Sequence, residues 1–158
     1  MRRSELLQFL RTHRLAVQAS VSPERAPQSA VVGIAVTDAF ELVFDTLDNT
    51  RKMGNLRRNS RIAFVIGGVV EGDERTAQYE GIADEPKGPD LERVTAAYYE
   101  TWPDGRARAS RPGLVYVRVR PTWIRFSDFN RAPPIVVEFD ADALIGSVDD
   151  GPTHSKVS

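Results

Sequence analysis

The 158-residue sequence contains no cysteine, which removes disulfides, thiolate-bound metals and a cysteine nucleophile from consideration. Histidine occurs twice, as His13 at the end of a helical segment and His154 in a polar tail. Neither position supports a Ser-His-Asp site or a histidine metal centre. No stretch approaches the roughly 20 apolar residues of a membrane span. The segment after Met1-Arg2-Arg3 is amphipathic and lacks the apolar core of a signal peptide. A cytoplasmic protein with no membrane contact is the default expectation. Walker and dinucleotide fingerprints are missing. The formal net charge is −1, so no global field draws the chain to nucleic acid. Aromatics make up 8% of the chain and do not interleave with its basic residues, which argues against a small barrel that stacks nucleic-acid bases.

What is present is ordinary for a globular domain: 41% hydrophobic and 27% charged residues. Ser4 can cap a first helix ending near His13. Residues 15–21 alternate with a strand period. Residues 28–36 read as a second strand, apolar almost throughout and so covered on both sides, with Gly33 marking a bulge or the close approach of a ligand or another backbone. Further strands are expected at 40–45, 61–66 and 75–83, a helix from Asp90 to Pro103, and a strand over 114–120 that Pro121 kinks or interrupts before 123–129. Short strands with few intervening helices point to a mainly β (α+β) fold, a six- to seven-stranded antiparallel barrel with peripheral helices. Residues 1–138 form one domain, and 139–158 an acidic and then polar tail.

The most informative stretch is residues 44–56. A strand runs into a polar turn, Asn49 or Thr50 can cap the helix that follows, and Arg51 and Lys52 occupy its first turn. Cations are disfavoured there by about 0.3–1 kcal/mol each. Backbone donors, hydroxyls and two cations would be repaid by a bound dianion, most simply a phosphate. Arg51, Lys52, Arg57, Arg58 and Arg61 also fit the solvated face of a basic helix.

The runs Pro27-Gln28-Ser29-Ala30-Val31-Val32-Gly33, Leu42-Val43-Phe44-Asp45-Thr46, Thr50-Arg51-Lys52 and Asn55-Leu56-Arg57-Arg58-Asn59 resemble the pyridoxamine 5'-phosphate oxidase-like superfamily of flavin-binding split β-barrels. The resemblance covers roughly residues 6–129. It implies FMN bound between the two subunits of a homodimer, with its phosphate held by Arg51 and Lys52 beside Thr50. It also implies that Ala30, Val31, Val32 and Gly33 run along the flavin ring and that Thr46 contacts the ring or ribityl chain, next to Asp45 where many relatives carry an aromatic. Thr76 and Gln78 would add polar contacts from the partner subunit, Gln78 fitting an exposed polar residue equally well. Trp123 and Arg125 read either as a further cofactor-side pair or as a core tryptophan beside a surface arginine.

The departures narrow the chemistry. Ala35 stands where the oxidases carry a lysine, the Arg-x-His near their C-terminus has no counterpart, and Arg106, Arg108 and Ser110 do not keep the Tyr–Arg–Ser spacing with Tyr98 or Tyr99. These differences argue against vitamin B6 oxidation. What the resemblance implies is an FMN-dependent oxidoreductase taking hydride or electrons from a reduced nicotinamide to a small acceptor. A deazaflavin-dependent reductase and a non-catalytic flavin carrier or stress-response protein are its alternatives.

Overall fold

The computed structural model describes residues 1–145. Its elements are helix α1 (Arg3–Thr12), strands β1 (Leu15–Val21), β2 (Pro27–Gly33), β3 (Ala35–Val36) and β4 (Leu42–Leu47), and helix α2 (Arg51–Arg58). Strands β5 (Arg61–Gly67) and β6 (Arg75–Asp84) follow, then helices α3 (Gly88–Thr101) and α4 (Gly105–Arg108), strands β7 (Leu114–Asp128) and β8 (Ile135–Asp140), and helix α5 (Ala141–Leu144). The strands form one antiparallel sheet in the order β2-β1-β5-β6-β7-β4-β3, with β8 added to β7. Because β3 continues β2 after the single residue Ile34, the sheet curls back on itself. The chain pairs with β1 up to Gly33 and with β4 from Ala35. Ile34 bridges the switch by donating its N–H to the Arg14 carbonyl at 2.9 Å. The result is the expected split barrel.

The core fills the barrel with Leu6 and Leu10 from α1, Phe40, Phe44, Phe64, Ile66, Tyr79 and Ile124. Each large apolar side chain removed from water contributes about 1.5–3 kcal/mol. The Tyr79 hydroxyl lies 3.0 Å from the Phe40 carbonyl and 2.9 Å from that of Val119, so its one polar atom is satisfied inside the barrel. Outside β3 and β4, α3 lays Val94 and Tyr98 against Ala35 and Val43. A charged network pins it there. Arg93 reaches Glu41 at 2.7 Å, and Arg118 reaches Asp84 at 2.6 Å and Asp90 at 3.1 Å.

Several local expectations are revised. The strand over 28–36 is two strands, and it is not covered on both sides: Val31 is 65% exposed. On β1 the polar residues point inward. Gln18 and Ser20 are each 2% exposed, whereas Leu15 is 60% exposed. Pro121 does not interrupt β7. The strand runs through it with a register shift opposite Glu80 and Gly81. Its other edge pairs with β4 up to Val119 and with β8 from Trp123, so the proline, which has no N–H, falls where that edge changes partner. At α1 the cap is Arg2, with the Glu5 carboxylate accepting from its backbone N–H at 2.6 Å. Ordered structure extends past residue 138: Phe139 and Leu144 are buried in the core. The remainder of the expected tail, from residue 146, lies outside the described residues.

Candidate functional site

β4 delivers the chain to the end of the barrel, where α2 closes it. Met53 and Leu56 of α2 enter the core. Asn55, also buried, donates from Nδ2 to Ser20 Oγ at 3.1 Å and to Gln28 Oε1 at 3.0 Å. This explains why Ser20 of β1 faces inward, since it meets the amide of α2. Arg57 is held by Asp48 at 2.5 Å and Glu85 at 2.8 Å, an exposed brace between α2 and the strands.

Arg51 and Lys52 behave differently from Arg57. Among the described residues neither has a carboxylate partner. Lys52 is half-buried and donates from Nζ to Thr46 Oγ1 at 3.3 Å. Thr46 Oγ1 lies 3.4 Å from Thr50 Oγ1, which in turn donates to the Leu47 carbonyl at 2.9 Å. Thr50 is the N-cap residue, but its side chain accepts nothing from the first turn. Free backbone donors, two unpaired cations and two hydroxyls therefore meet at one helix end, the arrangement that fits a phosphate. Thr46, Thr50 and Lys52 are the sequence-derived residues that the fold joins, with the exposed Arg51 beside them as the first residue of α2.

Ala30, Val31, Val32 and Gly33 lie on β2, which runs beside β4 at the barrel seam without pairing to it. Val31 and Gly33 share the outer face, with Val31 open to solvent. The space beside Gly33 is taken by the Trp102 indole: a Cβ built on Gly33 would stand 2.9 Å from Cζ2. The close approach marked by this glycine is thus to a side chain of the same molecule.

Asp45 points away from Thr46, as neighbouring strand residues must. It lies 3.5 Å from Arg108 Nη2 and opposite Tyr116 on β7. Arg108 also pairs with Asp104 and approaches the Tyr98 hydroxyl at 3.4 Å. The Tyr99 and Tyr116 hydroxyls are 3.0 Å apart. Burial, reinforced by the Asp45 charge, pushes the Tyr98 phenol well up. Burial and the hydrogen bond with Tyr99 do the same for Tyr116. Both stay protonated near neutrality.

Gln78 sits on the outer face of β6, between Val65 of β5 and Arg125 of β7. Its partner Arg125 and Thr46's partner Val115 are both on β7, ten residues apart (125 − 115), or about 33 Å of extended strand. A single chain does not bring Gln78 to Thr46. Trp102, Arg14 and Tyr116 were not singled out in the sequence, and Asn55 stood there only within the run that carries the resemblance. Gly33 was the signal that pointed toward Trp102.

A curled antiparallel sheet with a cation-bearing helix start beside its seam defines the split-barrel class. Residues 3–128 match the sequence model of the pyridoxamine 5'-phosphate oxidase family, and the chain belongs to that family. No curated protein matches the sequence. Among solved structures, the fold is shared with a haem binding protein from Mycobacterium smegmatis at 16% identity and a TM-score of 0.77, covering 91% of this chain and 60% of that one. The chain thus spans about three fifths of that protein's length. It is shared with HutZ, the haem storage protein from Vibrio cholerae, at 14% identity and a TM-score of 0.64, covering 77% and 91%. It is also shared with a pyridoxamine 5'-phosphate oxidase-related, FMN binding protein from Nostoc punctiforme at 12% identity and a TM-score of 0.62, covering 87% and 84%. Among the described residues no helix is long and apolar enough to cross a membrane, and no group of three or more His, Cys, Asp or Glu could hold a metal ion.

Proposed function

We propose that the protein binds FMN between two copies of the chain and acts as a flavin-dependent oxidoreductase on a small substrate, with a reduced nicotinamide as donor. The observation that carries this reading is the unpaired Arg51 and Lys52 at the start of α2, gathered with Thr46 and Thr50 around free backbone donors. These groups would hold the cofactor phosphate. The backbone of residues 30–33 would floor the ring. FMN itself would supply the hydride or electron transfer. Family membership and the FMN binding relative support the same assignment.

The second copy has a physical motive. Val31, Val17 and Val65 stand in register across β2, β1 and β5 on the outer face, exposed, with Leu15 beside them. Such a patch favours burial against another surface. Gln78 continues the same row, followed by Arg125, whose Nε is buried with no hydrogen-bond partner among the described residues. A second copy on this face would bring Gln78 to the partner's cofactor groove.

Haem-binding relatives raise a different ligand, but the described histidine is poorly placed for this site. His13 stands against Gly67, with Nδ1 donating to the Phe9 carbonyl at 2.8 Å. That is the far end of β5 from α2, about 20 Å of strand away. Spectroscopy of the purified protein decides between them. A flavin spectrum, with FMN released on denaturation at one per chain, is the expected result. A haem Soret band, or a colourless protein that takes up no FMN in equilibrium dialysis, refutes the assignment. Oxidation of a reduced nicotinamide with an added acceptor then separates an enzyme from a carrier.

A further inference from the structure

The Trp102 side chain is fixed from three directions. Its Nε1–H donates to the Ile34 carbonyl at 3.0 Å. The Arg14 guanidinium lies over the ring, 4.2 Å from its centroid, and is tied to the Thr101 carbonyl. The third contact is Gly33, where even one methyl group would overlap the indole. An exposed guanidinium stacked on the indole, a satisfied indole N–H and the glycine contact together make a rigid wall rather than a loose surface ring. Trp102 is nevertheless only half-buried.

What the free part of the indole faces follows from strand geometry. Val31 and Gly33 project to the same side of β2, about 6.6 Å apart. Val31 leaves an open apolar floor, and Trp102 rises at its Gly33 end. A planar ligand laid along this floor runs into the indole. The wall comes from the C-cap of α3, so the helix that carries Tyr98 and Tyr99 also sets where the floor stops.

Building on the FMN reading, we infer that Trp102 is a positioning residue for the cofactor: its indole touches the bound isoalloxazine and limits how far the ring extends along β2, and Gly33 lacks a side chain so that the indole can stand there. The ligand class this selects is a planar, electron-poor ring system, the natural partner of an electron-rich indole.

The test uses bound-flavin fluorescence in the full-length, FMN-loaded protein, because an indole in contact with an excited flavin quenches it by electron transfer. The wild type is expected to hold its FMN nearly dark. Trp102→Phe should brighten the bound flavin several-fold and weaken FMN binding by about three- to tenfold. Gly33→Ala, which displaces the indole without removing it, should brighten it to a smaller extent. Phe129→Leu, an exposed side chain just past the end of β7, should leave the emission at the wild-type level. Circular dichroism confirms that each variant is folded, and Arg14→Gln, which frees the indole without touching the core, serves if Trp102→Phe does not fold. FMN bound but equally dark in Trp102→Phe, or in Arg14→Gln where that variant stands in, overturns the inference and leaves the FMN reading intact. A folded wild type that retains no FMN in dialysis overturns both.

Discussion

Replacing Arg51 and Lys52 together by alanine is expected to separate phosphate anchorage from everything else the site does. Lys52 is half-buried and already directed at Thr46 Oγ1, so its bond to a phosphate oxygen would be worth about 1.5–3 kcal/mol. Arg51 is exposed, and screening reduces its share to about 1 kcal/mol. The two sum to about 2.5–4 kcal/mol, or about 60- to 700-fold in the Kd for FMN. The fold itself should barely notice. Removing cations from the first turn of α2 relieves about 0.3–1 kcal/mol each, against about 1 kcal/mol for the lost Lys52–Thr46 bond. The melting temperature should therefore stay within about 4 °C of the wild type. Isothermal titration with FMN and with riboflavin, which lacks the phosphate, gives the decisive comparison. The wild type should prefer FMN strongly, and the double variant should bind both alike, at the wild-type riboflavin affinity. An FMN affinity changed less than about threefold, or riboflavin weakened as much as FMN, would refute the reasoning.

Three further outcomes follow from the same geometry. Asn55→Ala removes the bonds to Ser20 and Gln28 and leaves buried polar groups unpaired, so urea denaturation should show a loss of about 1–3 kcal/mol; an unchanged midpoint would deny Asn55 its structural role. Val17→Asp places a charge in the centre of the exposed Val31–Val17–Val65 row, and light scattering should find a dimer for the wild type and a monomer for the variant. Stability should fall in acid. At Glu41 burial pushes the pKa up, but hydrogen bonds from Arg93 and Thr37 and the charges of Arg93 and Arg118 outweigh it and hold it below the ordinary 4.5. Hydrogen bonds from Arg93 and Arg118 likewise lower Asp90. A carboxyl whose native pKa is depressed stabilises the fold fully above its unfolded value, and the contribution is lost as pH falls through the native one. Melting temperatures should hold above about pH 5 and drop progressively below about pH 4.5, with a shallower drop in Glu41→Gln; equal slopes in the two proteins would contradict the assignment.

How much of this was visible in the sequence depended on whether the determining forces were local. The start of α2 was legible because Arg51 and Lys52 violate a rule that acts within one helical turn. Most strands were legible from alternation. The inverted β1 was not, since the inward Ser20 is satisfied by Asn55, 35 residues further along the chain. Pro121 reads as a break because its tolerance rests on which strands flank β7 at that point, a property of the assembled sheet. Gly33 announced a close neighbour but could not name Trp102, far along the chain. Asp45 and Thr46 are adjacent in sequence yet face opposite sides of β4, so they serve different environments.

The 15-residue β7 gives the molecule a mechanical axis. It is stitched to β6 along one side and to β4 and then β8 along the other, so β6 cannot part from β4 or β8 without rupturing ladders on this one strand. Its amides should be the slowest in the protein to exchange with deuterium, outlasting those of β2 at the seam.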